Sequence, residues 1–280
     1  MSHVGMIAGG GELPEIIARQ AYAMGCPLPT VALSAQVAAQ LMPYCPTLAQ
    51  HGPGQLTKII RTFQRYYVRQ VVMVGKVEKR FLFENPRLDL RVLRGLSRMR
   101  DYRDVTLLHA IITAFAAAGL EVIEQTRLLG HLATPEGVLG KRCPSPRAWD
   151  DIRYGFARAK QLAALDIGQT IVVRRQTVLA VEALEGTDAT ITRGCQYGGR
   201  DTVVVKVSRP QQDMRFDVPT VGPHTLLQVI AGRAAVLAME AGTTFILRLP
   251  ELVAMADARR VALVGVSPTL LQQAETGRSG

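Results

Sequence analysis

Residues 4–24 read VGMIAGGGELPEIIARQAYAM, and this stretch decides the fold class of the first half of the chain. Val4 to Ala8 is a short apolar run of the strand type, and three glycines follow it directly. From Leu13 to Met24 the apolar residues return at helical spacing. This order predicts the first βα unit of an α/β domain, in which backbone amides approach a phosphate at the helix N-terminus. The alternative is a tight turn that merely starts a helix.

The same alternation of elements continues as far as residue 123. Strands are predicted over residues 30–33, 70–74 and 120–123, and helices over residues 55–69, 88–100 and 104–118. Strands that alternate with helices indicate right-handed βαβ units and a parallel sheet.

The glycine turn does not have the pattern of a nicotinamide dinucleotide site. Its spacing is not GxGxxG, because Pro14 stands where the third glycine would be. The second strand ends at Leu33 and Ser34, without the acid that holds the ribose. An oxidoreductase is therefore disfavoured, although Ser34 would tolerate a 2′-phosphate.

The stretch from residue 131 to residue 146 contains three prolines and two glycines and marks the domain boundary. We predict an N-terminal domain over residues 1–131, a linker over 132–148, a C-terminal catalytic domain over 149–268 and a polar tail over 269–280. Within the second domain we expect a helix over residues 149–165 and strands over 170–173, 178–183 and 202–207.

The composition is that of a globular protein, with 280 residues of which 48% are hydrophobic and 20% charged. A net charge of +10 favours an anionic partner. Nucleic acid is disfavoured, because few aromatic residues stand among the basic ones. The chain shows no signal peptide, no apolar run of membrane length and no CxxC pair, which together predict a cytoplasmic protein with free thiols.

A basic segment precedes the helix predicted at residues 104–118. Arg87, Arg91, Arg94 and Arg98 recur at helical spacing and fall on one face. Such a face suits an anionic lipid surface or an anionic ligand. The alternative is a solvated face that pairs with nearby aspartates.

Polar residues stand at the ends of the predicted elements of the second domain. Gln169 enters a strand, Thr187 and Asp188 follow one, Lys206 interrupts an apolar run, and Asp217 precedes a turn. Active sites of α/β proteins usually lie at such ends. Each residue also has a simpler interpretation: Thr187 and Asp188 as helix caps, Lys206 as a solvent-facing residue and Asp217 as a turn residue.

The usual metal and nucleophile motifs are absent. The five histidines lack metal-ligand spacing, and no GxSxG, GxxxxGK[ST] or HExxH occurs. If the chain acts on a phosphate group, carboxylates must hold its metal, and Mg²⁺ is then the natural choice.

Five motifs resemble one family, the UDP-2,3-diacylglucosamine pyrophosphatases of the LpxI type. They are GMIAGGGELP (5–14), ATPEGVLGK (133–141), LDIGQ (165–169), VLAVEALEGTDA (178–189) and FDVPTVG (216–222). The resemblance extends over roughly residues 3 to 268, and EGTDA and DxPTxG are its most specific elements. It implies a Rossmann-like N-terminal domain with a parallel sheet, followed by a C-terminal α/β domain, for which we expect a mixed sheet. It also implies Mg²⁺-dependent hydrolysis to UMP and 2,3-diacylglucosamine 1-phosphate, lipid X.

The resemblance also implies roles for individual residues. The essential acid falls on Asp217, the EGTDA pair on Thr187 and Asp188, and the glutamine of IGQ on Gln169. We expect Asp217 and Asp188 to hold the metal and, with Lys206, to be catalytic. The expected substrate-binding residues are Gly10, Gly11, Glu12, Val74, Gly75, Lys76, Val122, Gln169, Thr187, Asp188, Lys206, Thr220 and Gly222.

These residues lead to the hypothesis of a metal-assisted attack of water on the pyrophosphate of a glycolipid-nucleotide substrate. Lys206 and Lys76 would face the phosphate oxygens. The alternative is a non-catalytic module that senses a nucleotide or a lipid. We further expect a homodimer, transient contact with the inner-membrane surface and no nucleic-acid partner.

Overall fold

The computed structural model describes residues 3–76 and 104–276. The predicted basic face at Arg87, Arg91, Arg94 and Arg98 lies outside the described residues. The chain forms two compact units: Met1–Leu129 with Asp213–Asp217, and Gly130–Gln212 with Val218–Gly280. The predicted fold class is confirmed, with a parallel sheet in the first unit and a mixed sheet in the second.

The first unit is built on a five-stranded parallel sheet in the order β3-β2-β1-β4-β5. Its strands are β1 (Val4–Ala8), β2 (Thr30–Ala32), β3 (Leu48–Gln50), β4 (Gln70–Val74) and β5 (Glu121–Ile123). The strand order changes direction between β1 and β4. In open α/β sheets, ligands bind at such a switch point, outside the carboxyl ends of the strands.

The helices of the first unit follow the strands in sequence. They are α1 (Leu13–Ala23), α2 (Ala35–Leu41), α3 (Leu56–Arg65), α4 (Asp104–Ala116) and α5 (Thr126–Leu129). The core that α3 and α4 share with the sheet includes Ile7, Phe63, Val71 and Phe115. Every helix within the described ranges is too short or too polar to cross a bilayer.

The strands predicted at residues 4–8 and 70–74 are confirmed to the residue. The helix predicted over residues 55–69 ends at Arg65, because Tyr67 adopts a left-handed φ of 53° before the chain enters β4. The sequence pattern does not predict α2 or β3, which are short. Ser34 begins α2 by accepting a hydrogen bond from the Val37 N–H at 3.2 Å.

The second unit contains a six-stranded mixed sheet in the order β6-β13-β11-β9-β7-β8. Its strands are β6 (Gly137–Val138), β7 (Thr170–Arg174), β8 (Thr177–Val181), β9 (Val203–Lys206), β11 (Val236–Glu240) and β13 (Ala262–Val266), and a separate parallel pair is formed by β10 (Thr220–Val221) and β12 (Phe245–Ile246). The three central strands β13, β11 and β9 are parallel, so their carboxyl ends meet at one edge.

Helices pack on both faces of this sheet. They are α6 (Pro146–Ala164), α7 (Thr187–Gly198), α8 (Pro223–Ala231), α9 (Leu249–Arg259) and α10 (Pro268–Thr276). The helix predicted over residues 149–165 begins earlier, at Pro146, because Ser145 caps it by accepting from the Ala148 N–H. The residues predicted as a polar tail include α10, which buries Leu271 against the core below α6.

Candidate active site

Lys206 is a buried lysine at the carboxyl end of β9. It is 8% exposed, and its Nζ donates a hydrogen bond to the Thr187 Oγ1 at 2.7 Å. Val203 and Val205 pack in the core between the sheet and α6, whereas Val204 packs in the core on the other face of the sheet. Side chains alternate along a strand, so Lys206 shares the face of Val204. The interpretation of Lys206 as a solvent-facing residue is therefore wrong.

Thr187 links this lysine to a carboxylate. Its hydroxyl donates to the Glu182 Oε1 at 2.7 Å, and the Glu182 Oε2 accepts from the Gln169 N–H at 3.2 Å. A hydroxyl has one proton and two lone pairs, so it can donate to the carboxylate while it accepts from the ammonium. Lys206, Thr187, Glu182 and Gln169 thus form one hydrogen-bonded chain, which we call the Lys206 network.

Gln169 extends the network towards the segment that follows β9. Its Nε2 donates to the Gln212 Oε1 at 3.1 Å, and the Arg209 N–H donates to the same oxygen at 3.4 Å. Gln169 is therefore held in place by hydrogen bonds from both its backbone N–H and its side-chain amide.

Asp188 lies in the first turn of α7, next to Thr187. The N-cap of this helix is Gly186 and no side chain caps it, so the interpretation of Thr187 and Asp188 as caps is wrong. The Asp188 Oδ2 lies 3.1 Å from the Nδ1 of His224 in the first turn of α8. Its side chain is 46% exposed, which leaves the carboxylate accessible from solvent.

Asp217 lies on the segment that the contacts assign to the first unit. It is exposed, it has a left-handed φ of 53°, and it stands between the buried residues Phe216 and Val218. Asp213, four residues earlier, accepts from the Arg215 N–H at 3.0 Å and from its Nη2 at 2.6 Å. These bonds from Arg215 lower the pKa of the Asp213 carboxyl. They also fix the turn at residues 213–216, which Asp217 directly follows.

In the first unit, β1 and β4 are joined just beyond their carboxyl ends. The Gly9 N–H donates to the Val74 carbonyl, and Gly10 and Lys76 exchange two backbone hydrogen bonds, all at 2.8 Å. A Cβ on Gly75, whose φ is 92°, would lie 2.7 Å from the Gly10 carbonyl oxygen. These bonds engage the amides of Gly9 and Gly10 within the protein, and a phosphate contact at Gly11 and Glu12 stays a prediction.

The remaining predicted residues occupy varied positions. Val74 and Val122 are 3% and 7% exposed, so any ligand would meet their backbone rather than their side chains. Thr220 lies in β10 and donates to the Val218 carbonyl at 2.9 Å. Gly222 is the N-cap of α8. Contact between these residues and a substrate stays a prediction.

A second polar cluster fixes the chain just after β9. The Lys160 Nζ lies 2.9 Å from the Glu240 Oε1, and the Ser208 N–H donates to the Glu240 Oε2 at 2.8 Å. The Ser208 hydroxyl donates to the same carboxylate oxygen. Glu240 therefore anchors the start of the segment that leads to Gln212.

Three of these polar residues are not candidates in the sequence analysis. Glu182 lies at the end of β8 inside the EALEGTDA motif, so a carboxylate at a strand end was the signal that could have found it. Gln212 and Glu240 have no local signal, because their partners are distant in sequence.

The donor chemistry is compatible with Mg²⁺, although no ready-made cage exists. Among residues 3–76 and 104–276, no three His, Cys, Asp or Glu side chains gather as a metal site. Mg²⁺ commonly uses only one or two carboxylates and completes its shell with water and substrate phosphates. Asp188 is a suitable accessible ligand. Asp217 belongs to the other unit, and its pairing with Asp188 stays a prediction.

The two sheets and the Lys206 network define a two-domain α/β protein with a polar site at the strand ends of its second unit. Residues 3–132 match the LpxI N-terminal domain and residues 135–264 match the LpxI C-terminal domain. The chain therefore belongs to the LpxI family, as its motifs predict. It is 31% identical over 279 residues to the UDP-2,3-diacylglucosamine pyrophosphatase LpxI of Caulobacter vibrioides, a match that covers 96% of this chain and 99% of the relative.

Proposed function

We propose that this chain hydrolyses the pyrophosphate of UDP-2,3-diacylglucosamine in lipid A biosynthesis. Water adds across the phosphoanhydride, which gives UMP and 2,3-diacylglucosamine 1-phosphate. Membership of the LpxI family and the name of the relative from Caulobacter vibrioides support this substrate. The structural observation that carries the proposal is the buried cation Lys206, held at the end of a central strand by Thr187.

The reaction explains why a positioned cation is needed. The oxygen of water forms a bond to one phosphorus, the bond from that phosphorus to the bridging oxygen breaks, and the leaving phosphate gains negative charge. Catalysis of phosphoryl transfer depends mainly on positioning and on electrostatic stabilisation of this charge. Lys206 supplies positive charge from a rigid strand, and Thr187 fixes the position of its ammonium. Glu182 balances that charge inside the protein.

Asp217 and Asp188 are the proposed carboxylates of the site. They would hold Mg²⁺, which when bound neutralises charge on the pyrophosphate oxygens. Gln169, oriented by Gln212 and Glu182, offers an amide to the nucleotide or to a phosphate oxygen. Lys76 would add a second positive charge, and its backbone is fixed by its bonds to Gly10.

The test is to incubate the purified full chain with UDP-2,3-diacylglucosamine and to quantify UMP by ion-pair chromatography. We expect UMP release that stops with EDTA and returns when excess Mg²⁺ is added. UDP-N-acetylglucosamine, which lacks the two long acyl chains, is the matched control and should release no UMP. A folded chain that releases no UMP from the acylated substrate would refute the proposed reaction.

The carboxylate assignment needs a separate comparison. Asp217→Asn keeps the shape of the side chain but removes its charge, so we expect UMP release to fall about 100-fold or more. Asp201→Asn changes an exposed aspartate that also has a left-handed φ, of 68°, and should retain wild-type turnover. Equal turnover of both variants would show that Asp217 is not part of the active site, and the proposed reaction would be unaffected.

A further inference from the structure

Three helices of the first unit end at the same edge of its sheet. Each of α1, α2 and α3 leads into the next parallel strand, so their C-terminal ends lie where the strands begin. Residues 22–27, 42–46 and 65–69 lie at these helix ends and in the connections that follow them, and we call them the amino edge. It lies opposite the carboxyl ends of β1 and β4, where the glycine turn is found.

Exposed apolar side chains concentrate on this edge. Among the described residues of the first unit, every large hydrophobic residue that is exposed belongs to it: Tyr22 at 52%, Met24 at 57%, Met42 at 66%, Tyr66 at 40% and Tyr67 at 80%. Cys26, Pro27 and Pro43 are also exposed. Single exposed apolar residues are normal on a protein surface, whereas their concentration at one edge indicates a contact with a partner.

The sequence around this group is unusual in its lack of charge. Residues 20–50 contain no Asp, Glu, Lys, Arg or His, in a chain in which 20% of residues are charged. This uncharged stretch forms the end of α1, all of α2 and the connections to β2 and β3. The solvated surface of that part of the unit is therefore made without any ionised side chain.

Arginines border the apolar group. Arg19 lies over the ring of Tyr44, 5.6 Å from its centroid, and that ring makes an edge contact with Tyr22 at 6.2 Å. Arg65 and Arg69 are exposed beside Tyr66 and Tyr67.

In the described part of the chain, the exposed acid at this edge is Glu121 at the start of β5. Its Oε2 accepts from the Gln70 Nε2 at 2.7 Å. Because Arg19 is paired with Glu15 at 3.7 Å, the positive charge at the amino edge comes from Arg65 and Arg69.

We propose that the amino edge docks on an anionic phospholipid bilayer. Tyrosine favours the boundary between headgroups and acyl chains, methionine adds apolar area, and arginine is attracted to anionic lipid. A second copy of this chain fits less well, because a two-fold contact between two such edges would bring Arg65 and Arg69 of both copies into one interface, where Glu121 is the exposed acid of each described edge. The inference does not depend on the proposed reaction.

The experiment is flotation of the full chain with vesicles of phosphatidylcholine alone or with 30% phosphatidylglycerol added. The edge variant carries Met24→Ser, Met42→Ser and Tyr67→Ser. The matched control carries Leu165→Ser, Tyr197→Ser and Leu227→Ser, which lie in the second unit and are 70%, 73% and 50% exposed. We expect the wild type and the control to bind the anionic vesicles and the edge variant to bind about tenfold more weakly.

The charge component has its own variant. Replacing Arg65 and Arg69 by Gln should weaken binding to the anionic vesicles by about fivefold for each arginine, with no effect on neutral vesicles. Thermal melting curves that match the wild type show that the edge variant, the control and the arginine variant are all folded.

The proposal is overturned if the wild type does not float with anionic vesicles, or if the edge variant binds as well as the wild type. Binding that is lost equally in the control overturns it too. Light scattering after size exclusion tests whether a second copy of the chain binds the amino edge instead. An edge variant that changes from dimer to monomer while it keeps its vesicle binding would assign this edge to a second copy. UMP release in detergent micelles should be the same for wild type and edge variant, so failure of the proposed reaction would be seen separately.

Discussion

The Nζ of Lys206 lies 2.7 Å from the Oγ1 of Thr187, and this bond joins the end of β9 to the first residue of α7. The same hydroxyl is bonded to Glu182. One threonine therefore sets the position of the buried cation relative to a carboxylate. This relationship makes the hydroxyl, rather than the size of the side chain, the feature to test.

Thr187→Val removes both hydrogen bonds at nearly constant volume. We expect kcat for UMP release to fall about 10- to 100-fold, because the Lys206 ammonium loses its fixed position. Thr187→Ser keeps the hydroxyl and should restore most of the activity. Thr192→Val, also on α7, removes a hydroxyl that donates within the helix to the Asp188 carbonyl, and it serves as the control. Full activity of Thr187→Val would show that the bond has no role in turnover.

Gly75 makes the close approach between β1 and β4 possible. Gly75→Ala places a methyl group 2.7 Å from a backbone oxygen at a φ of 92°, so we expect a loss of about 3 kcal/mol or more in the free energy of unfolding. Gly25 has a φ of 69° but open space around it, so Gly25→Ala should cost only about 1 kcal/mol. Urea denaturation measures both values. Similar losses in the two variants would mean that the backbone contact is not tight.

The hairpin between β7 and β8 uses two residues that are poorly suited to its turn. Arg175 and Gln176 have φ values of 50° and 53°, and the buried Asp151 carboxylate accepts both of their N–H groups. Two left-handed residues in a two-residue loop favour Asn-Gly. We expect the double substitution Arg175→Asn and Gln176→Gly to stabilise the protein by about 1 kcal/mol, measured by urea denaturation. Asp151→Ala should destabilise it by about 1–3 kcal/mol. A double variant that is less stable than Asp151→Ala would contradict this description of the turn.

The bond from Arg215 to Asp213 gives a pH-dependent contribution to stability. The pKa of Asp213 is lowered in the folded state, so its contribution is full above the unfolded pKa, about 3.9, and is lost as the pH falls through the folded pKa. Arg215→Gln should therefore be less stable than the wild type at pH 6, and the difference should shrink below about pH 4. Urea curves at several pH values check this, with Arg200→Gln as a control that changes an exposed arginine. A difference that stays constant from pH 6 to pH 3 would rule out the carboxyl as its source.

Much of the fold follows from local patterns. Apolar runs that end at a glycine give β1 and β4 to the residue, because buried parallel strands need a nearly continuous apolar sequence. The short elements α2 and β3 escape this reasoning, since three to seven residues hold too little periodicity. The helix α10 is missed because its composition is polar, although the burial of Leu271 fixes it to the core.

The candidate site is predictable only in part. Gln169, Thr187 and Lys206 stand at element ends in the sequence, and the fold connects them. Their connection depends on Glu182, a carboxylate at the end of a strand. Gln212, which bonds to Gln169, has no local signal because the two residues are distant in sequence. Lys206 stands two residues after Val204, so alternation along the strand places both side chains on the same face of the sheet. Its burial can be inferred once that face is known to be packed.

The proposed reaction and the role of Lys206 are tested together by the yield of products from UDP-2,3-diacylglucosamine with wild type and Lys206→Met, measured by mass spectrometry. We predict equimolar UMP and 2,3-diacylglucosamine 1-phosphate from the wild type. Lys206→Met should give about 100-fold less of both, while Lys141→Met, which changes an exposed lysine, should give wild-type yields. A folded wild type that forms neither product would contradict the proposed reaction, and a Lys206→Met variant with undiminished yield would contradict the proposed role of Lys206.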